Sequence, residues 1–412
     1  MTAPAEVYVR LVLALGLHDE DYVDAYYGPP EWRAAVERER PSLETILARA
    51  RDLAARLDGA APPEGAGEVD WLRHVFLTRQ LGALIARAEQ LAGRRFTFDE
   101  ESLALYDAVA PPQSEADLAG RVAELEAHVP GAGLLPERLQ AYRARFYVPV
   151  ERLEAAIDAA LRESRARTLA HLTLPEGESF TWERVTDKPW SGYNWYRGAY
   201  ASLIQINVDL PLHVGRLLDL ACHEGYPGHH AYNALLEQHL VRERGWPEFS
   251  VYPLSSPQSL IAEGTANVAP DVAFPGGEKL SFLRDALFPL AGFDPAEVEP
   301  YERVLRLSGQ LDRAGNEIAR RYLDGAMSAD TAVDWYVRYM LMERVRAEQR
   351  VRFVDRYRSY VVNYTLGEDL VRQHIERLGG DDAHPDRRWA LFRELLTTPR
   401  VPSTLAGAAP SR

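Results

Sequence analysis

The sequence predicts a mainly α-helical fold in two lobes, with a small β-sheet beside a helix that carries the chemistry. Two long stretches, up to about residue 172 and from about 298 to 377, repeat apolar residues at helical spacing and are rich in Ala, Leu, Glu and Arg. Between them the segment 173–209 is rich in aromatic and β-branched residues and alternates near "SLIQINV", as strands do. A third observation is the string "HEGYPGHH" at 223–230, which sits between two helical patterns and breaks both.

In chain order, "PEWRAAVERERPSLETILARARDLAARL", "VDWLRHVFLTRQLGALIARAEQLAG" and "VPVERLEAAIDAALRESRARTLAHL" predict antiparallel helices. The Pro- and Gly-rich "GAAPPEGAGE" and "VPGAGLLPE" supply turns between them. After the strand segment, Asp209 as N-cap and Pro211 in the first turn open a helix over "LPLHVGRLLDLACHE". It resumes as "HHAYNALLEQHLVRER" and stops at Gly245 and Pro247. A further helix is capped by Ser256, starts with Pro257, runs through "QSLIAEGTANVA" and ends near Pro270. The reading is one unit, 1–412, with sub-lobes 1–172 and 173–397 and a flexible tail, 398–412.

Composition removes several function classes. A net charge of −14 argues against nucleic acid or an anionic membrane as partner, because both select for positive surface. A single cysteine, Cys222, excludes an internal disulfide framework and a multi-cysteine zinc site. No apolar run reaches the roughly 18 residues of a membrane helix, and the N-terminal "VYVRLVLALGL" lacks a basic leader, so cytoplasm is the expected compartment. There is no phosphate-binding glycine loop and no G-x-S-x-G elbow.

The motif itself points to a metal. Two helical histidines share an ion when they stand at i and i+4, where their side chains are about 40° apart and one turn along. His223 and His229 are at i+6, about 240° apart on a straight helix, and His230 at i+7 is displaced by about 10 Å along the axis. Pro227 abolishes the straight helix, and Gly228 permits backbone angles closed to other residues. With these two bulged out, His229 takes the place of the i+4 residue; His230 is the alternative, brought round by a larger excursion. Glu224 then has the position of a general base beside a zinc ion. A catalytic zinc needs a third protein ligand, and the candidate is Glu263, a carboxylate in the otherwise apolar "LIAEGTANVA". Asn267, one turn on, and Asp219, one turn before His223, are candidates to accept a ligand histidine's second ring N–H.

The string His223-Glu224-x-x-Pro227-Gly228-His229-His230, followed by Glu263-Gly264, resembles the bacterial DUF885 family, whose members look like zinc metallopeptidases of the gluzincin type. Arg320 and Asp324 in "RRYLDG" and the "NYTLG" element extend the likeness over roughly 185–380, while "TAN" after Glu263-Gly264 and "DGAMS" depart from the pattern. The resemblance implies a two-lobed metallopeptidase-like fold with Zn(2+) at His223, His229 and Glu263, Glu224 as base, and Tyr364 as donor to an oxyanion.

The expected activity is therefore hydrolysis of a peptide or small amide. The strand "YASLIQINV" is expected to offer an open edge to an extended peptide, with Gln205 and Asn207 as candidate substrate contacts. Arg320, Arg321 or Arg356 is a candidate clamp for a substrate carboxylate. Two other readings keep the motif: a non-catalytic helical binding protein, and a zinc hydrolase of a non-peptide amide or ester. His213, His239 and His374 are read as structural. Oligomeric state is not encoded in any motif.

Overall fold

Caps set the register of this helical chain, described by a computed structural model over residues 3–59, 67–188, 190–209 and 211–405. Ser42 accepts from Thr45 N–H, while Thr97 with Glu100 and Ser114 with Asp117 close capping boxes at Phe98–Tyr106 and Glu115–Glu126. The first half is a series of helices, the longest being Glu68–Leu91 and Val150–His171. Most of the expected turn "GAAPPEGAGE" lies outside the described residues.

Five strands are described. β1 (Val23–Tyr26) pairs antiparallel with β5 (Val251–Pro253). β2 (Ser179–Val185), β3 (Gly192–Tyr196) and β4 (Ala201–Asn207) form a three-stranded sheet in the order β2-β4-β3. β4 runs parallel to β2 and antiparallel to β3, and its Ser202, Ile204 and Ile206 face inward. The strand expected to offer an open edge is thus the central one, hydrogen-bonded on both sides. The edge nearest the motif belongs to β3.

The helix before the motif begins later than Asp209 and Pro211 imply. Residues 212–214 run extended against Phe146–Val148, with Val148 N–H bonded to Leu212 O and Val214 N–H to Phe146 O. The N-cap is consequently His213, whose ring accepts from Arg216 N–H, and the helix is Val214–Leu220. Ser256 caps the helix Pro257–Ala273 as expected, though it runs three residues past Pro270. Long helices return over Val298–Gln310, Arg344–Tyr357 and Val362–Arg377.

The helices Pro257–Ala273 and Val362–Arg377 cross at two glycines. A Cβ on Gly264 would stand 2.4 Å from Gly367 O, and one on Gly367 would stand 2.6 Å from Leu260 O. The crossing brings Glu263 and Tyr364 to the same cleft. The largest core cluster joins Phe76, Leu139 and Ile157 from the first half to Leu217, Ile261 and Phe392 from the second, so one core spans the change of texture at 172. Val401 and Leu405 of the expected loose tail pack into that core cluster, and Leu405 O accepts from Arg377; residues 406–412 lie outside the described part.

Candidate metal centre

The motif folds by progressive widening of a helix. After Leu220 the turn Ala221–Gly225 is a π-helix, and Tyr226 N–H bonds to Ala221 O at 3.1 Å. Gly228 N–H then reaches back six residues to Cys222 O at 2.9 Å, and a new helix, His229–Leu236, begins with Tyr232 N–H on Gly228 O. Gly228 is required sterically: a Cβ there would lie 2.0 Å from His223 O.

This turn brings the His223 and His229 rings to a centroid distance of 4.6 Å, at 90° to each other. Glu263 projects between them from the crossing helix, with Oε2 3.7 Å from His223 Nε2 and Oε1 3.6 Å from His229 Nε2. Ligands 2.0–2.2 Å from a tetrahedral zinc are about 3.3–3.6 Å apart, so Glu263 is close to the required separation from both rings. Ligand atoms of His223, Glu224 and His229 also lie within 4.8 Å of one another. The two groupings differ in their carboxylate. Glu224 Oε1 is 4.0 Å from His223 Nε2, beyond that separation, whereas Glu263 offers one oxygen to each ring. Glu263 has the better ligand geometry.

His230 turns away. It is fully buried, with Nδ1 2.8 Å from Ser202 Oγ on β4 and Nε2 2.9 Å from Glu178 Oε2. Tyr226 O–H and Arg165 also donate to Glu178. Burial pushes the Glu178 carboxyl up, but the hydrogen bonds from His230, Tyr226 and Arg165 prevail and hold it at about 2.

Burial is the leading influence at the centre. It lowers His223 to about 3 and raises Glu224 to about 7, with Arg216 and His229 opposing the rise at Glu224. At His229 burial is outweighed by the nearby Glu263 carboxylate, so its pKa rises and that of Glu263 falls. Glu263 Oε2 is nevertheless buried with no hydrogen-bond partner. Two imidazoles and an unsatisfied carboxylate oxygen, with no thiolate among them, fit a zinc ion. Cys222 is no rival donor, since it is buried 3.3 Å from Ser164 Oγ with its thiol pushed up to about 12.

Asn267 donates its amide N–H to Tyr364 O at 2.9 Å. Tyr364 lines the same cleft, of about 2410 Å³, and its hydroxyl makes no hydrogen bond to a described residue. Asp219, in contrast, faces Lys279 at 3.4 Å rather than a ligand histidine. Arg320 is taken up by Asp99, Glu317 and Ala110 O, while Arg321 pairs with Glu317 and Arg356 with Asp21 and Glu20. Gln205 bonds across the sheet to Glu183 and Trp195, outside the cleft. Asn207 lines the cleft, but its amide is spent on Lys188 O and Trp190 O. Of the histidines read as structural, His213 caps its helix, His239 pairs with Glu243 and His374 meets Leu405 O.

Three features of the site have no local sequence signal. Asp24 on β1 is half-buried beside the centre and accepts from Tyr193 O–H on β3. Gly192 lies so close to Glu224 that a Cβ would stand 2.9 Å from Oε1, and Asn194 donates to Glu224 O at 2.7 Å. Arg216, seven residues before His223, lines the cleft.

No family model matches the sequence, and no curated protein matches it. Among solved structures the fold is similar to that of a "putative lipoprotein" from Colwellia psychrerythraea, at 14% identity and a TM-score of 0.54 over 93% of this chain and 76% of that one. A weaker likeness, at 13% identity and a TM-score of 0.46 over 97% and 90% of the two chains, is to an M32 carboxypeptidase from Deinococcus radiodurans R1. These are likenesses of fold. No helix among the described residues is long and apolar enough to cross a membrane.

Proposed function

We propose that this protein is a zinc-dependent peptidase in which His223, His229 and Glu263 hold the metal and Glu224 is the general base, the roles that the resemblance to DUF885 implies. One observation carries the reading: Glu263 Oε2 is buried without a hydrogen bond between two converging imidazoles, an arrangement costly in a protein that binds no cation there. Zinc bound at these residues would supply Lewis acidity to a carbonyl oxygen and to water.

The chain's own groups supply the rest. Glu224 takes the proton of the attacking water and hands it to the leaving amine. The Tyr364 hydroxyl donates to the oxygen on which charge develops. The free edge of β3, fixed against Glu224 by Asn194, orients an extended peptide across the centre.

Elemental analysis and one substitution test this. Glu224→Gln is expected to keep about one zinc per chain, since the ligands are untouched, and to lose roughly 100- to 10,000-fold in peptide hydrolysis. Protein that hydrolyses peptides without metal, or a Glu224→Gln variant of full activity, refutes the proposal.

A further inference from the structure

Arg216 lies on the helix that leads into His223 and faces the cleft two turns earlier, on the same side. Its side chain makes one hydrogen bond, from a guanidinium nitrogen to Ser191 Oγ at 2.9 Å, and no described carboxylate lies within ion-pair distance. Three other cleft-lining arginines that are not exposed are paired with carboxylates. Arg313 meets Asp369, Arg372 meets Asp271 and Glu368, and Arg388 meets Asp382. Arg346 and Arg350 also line the cleft without an ion pair among the described residues, but Arg216 is set apart by lying on the helix that leads into His223. Arg216 holds a positive charge beside the catalytic groups with no anion of its own.

Its position along the β3 edge gives that charge a direction. Gly192, the first residue of β3, is in contact with Glu224, and Ser191, the next residue back, holds Arg216. A strand advances about 3.3 Å per residue, so a peptide lying on this edge with its reacting carbonyl at Glu224 has room for about one residue before the guanidinium. On the other side Tyr193–Tyr196 continue the edge for four residues. A cation at the short end attracts a carboxylate and repels an ammonium group.

We infer that Arg216, positioned by Ser191, binds the terminal carboxylate of the substrate, so that the enzyme removes single residues from peptide C-termini. The inference rests on the peptidase reading above. In each turnover the last peptide C–N bond breaks, the hydroxyl of water joins the new carboxyl carbon, and its proton goes by way of Glu224 to the released amine.

The test uses the zinc-loaded full chain and acylated peptides that end in a free carboxylate or in an amide, with products read by mass spectrometry. Wild type is expected to release one residue at a time and to prefer the free acid by on the order of 100-fold in kcat/KM. In Arg216→Gln the preference falls to about threefold or less, and Arg216→Lys restores part of it. Zinc content and thermal melting of each variant check that the site is still formed. A second readout is equilibrium binding of N-acetyl-leucine and N-acetyl-phenylalanine against their amides. Acid preference in binding that Arg216→Gln abolishes, without hydrolysis by wild type, keeps the anchor and sinks the peptidase reading. Hydrolysis indifferent to the terminus, or an Arg216→Gln enzyme that keeps the acid preference, sinks the anchor and leaves the peptidase reading standing.

Discussion

Adding one methyl group where the two long helices cross should disable the centre without touching a ligand. In Gly367→Ala the new Cβ would lie 2.6 Å from Leu260 O and 3.1 Å from both N and Cα of Gly264. Ordinary contact begins near 3.5 Å, so the helices must separate by roughly 0.5–1 Å, because the obstructing atoms are backbone and cannot rotate away. Overpacking of this kind costs about 1–3 kcal/mol, occasionally more. Glu263 is adjacent to Gly264 and Tyr364 is one turn from Gly367, so both side chains shift with the backbone. A displacement near 1 Å typically costs about 100-fold in turnover. Urea unfolding would measure the first loss, and chelator competition with peptide turnover the second. Gly82→Ala is the control: its Cβ meets nothing within 4 Å, and Ala is favoured over Gly in a helix by about 1 kcal/mol. Gly264→Ala, with its Cβ 2.4 Å from Gly367 O, should resemble Gly367→Ala, and the double variant should cost less than the sum, since one separation relieves both clashes. A Gly367→Ala protein as stable as wild type, or one destabilised with unchanged zinc affinity, refutes the link between crossing and centre.

Gly228→Ala should abolish zinc binding and lower stability by several kcal/mol, about 3 or more, because its Cβ would overlap His223 O at 2.0 Å; a zinc titration of the purified variant decides this. His230→Phe should cost about 2–4 kcal/mol in urea unfolding by leaving Ser202 Oγ without its ring partner and removing one of three donors to the buried Glu178, and a variant of wild-type stability would show that His230 contributes nothing there. His213 is held at about 4 by burial, so the folded state disfavours its charged form. Its contribution, up to about 3 kcal/mol from that shift, is complete above pH ~6.5 and is lost as the pH falls toward ~4. His213→Asn, which keeps a capping oxygen, should flatten that part of the stability–pH profile; an unchanged profile refutes the assignment.

The fold and the site were legible wherever the cause is local. Ser256 capping a helix that opens with Pro257 depends on a few consecutive residues, and the strands of 173–209 follow from their own side chains. The approach of His223 to His229 was readable because the obstruction, Pro227-Gly228, lies between them. The failures concern partners distant in sequence. Whether Arg320 is free for a substrate is decided by Asp99 and Glu317, and Asp99 is 221 positions away. The start of the helix before His223 is set by residues 212–214 pairing with 146–148, which outweighs the capping preference of Asp209. Strand order was equally hidden: the alternation in β4 shows which side is buried, not which edge is free.

The two adjacent histidines of the motif divide one task. Successive residues on a helix point about 100° apart, so His229 and His230 cannot face the same ion, and the structure sends one to Glu263 and the other to Glu178 and Ser202. A helix that begins after an irregular turn has a weakly determined first residue, because its first N–H groups lack helical partners. Here that end is tied down twice. Gly228 N–H holds Cys222 O, and His230 is wedged between the sheet and a carboxylate that Arg165 and Tyr226 also grip. Fixing His230 fixes the backbone of its neighbour, and with it the ring that meets Glu263. A longer excursion between histidines than four helical residues thus comes with an anchor immediately behind the second of them, which a continuous helix would not need.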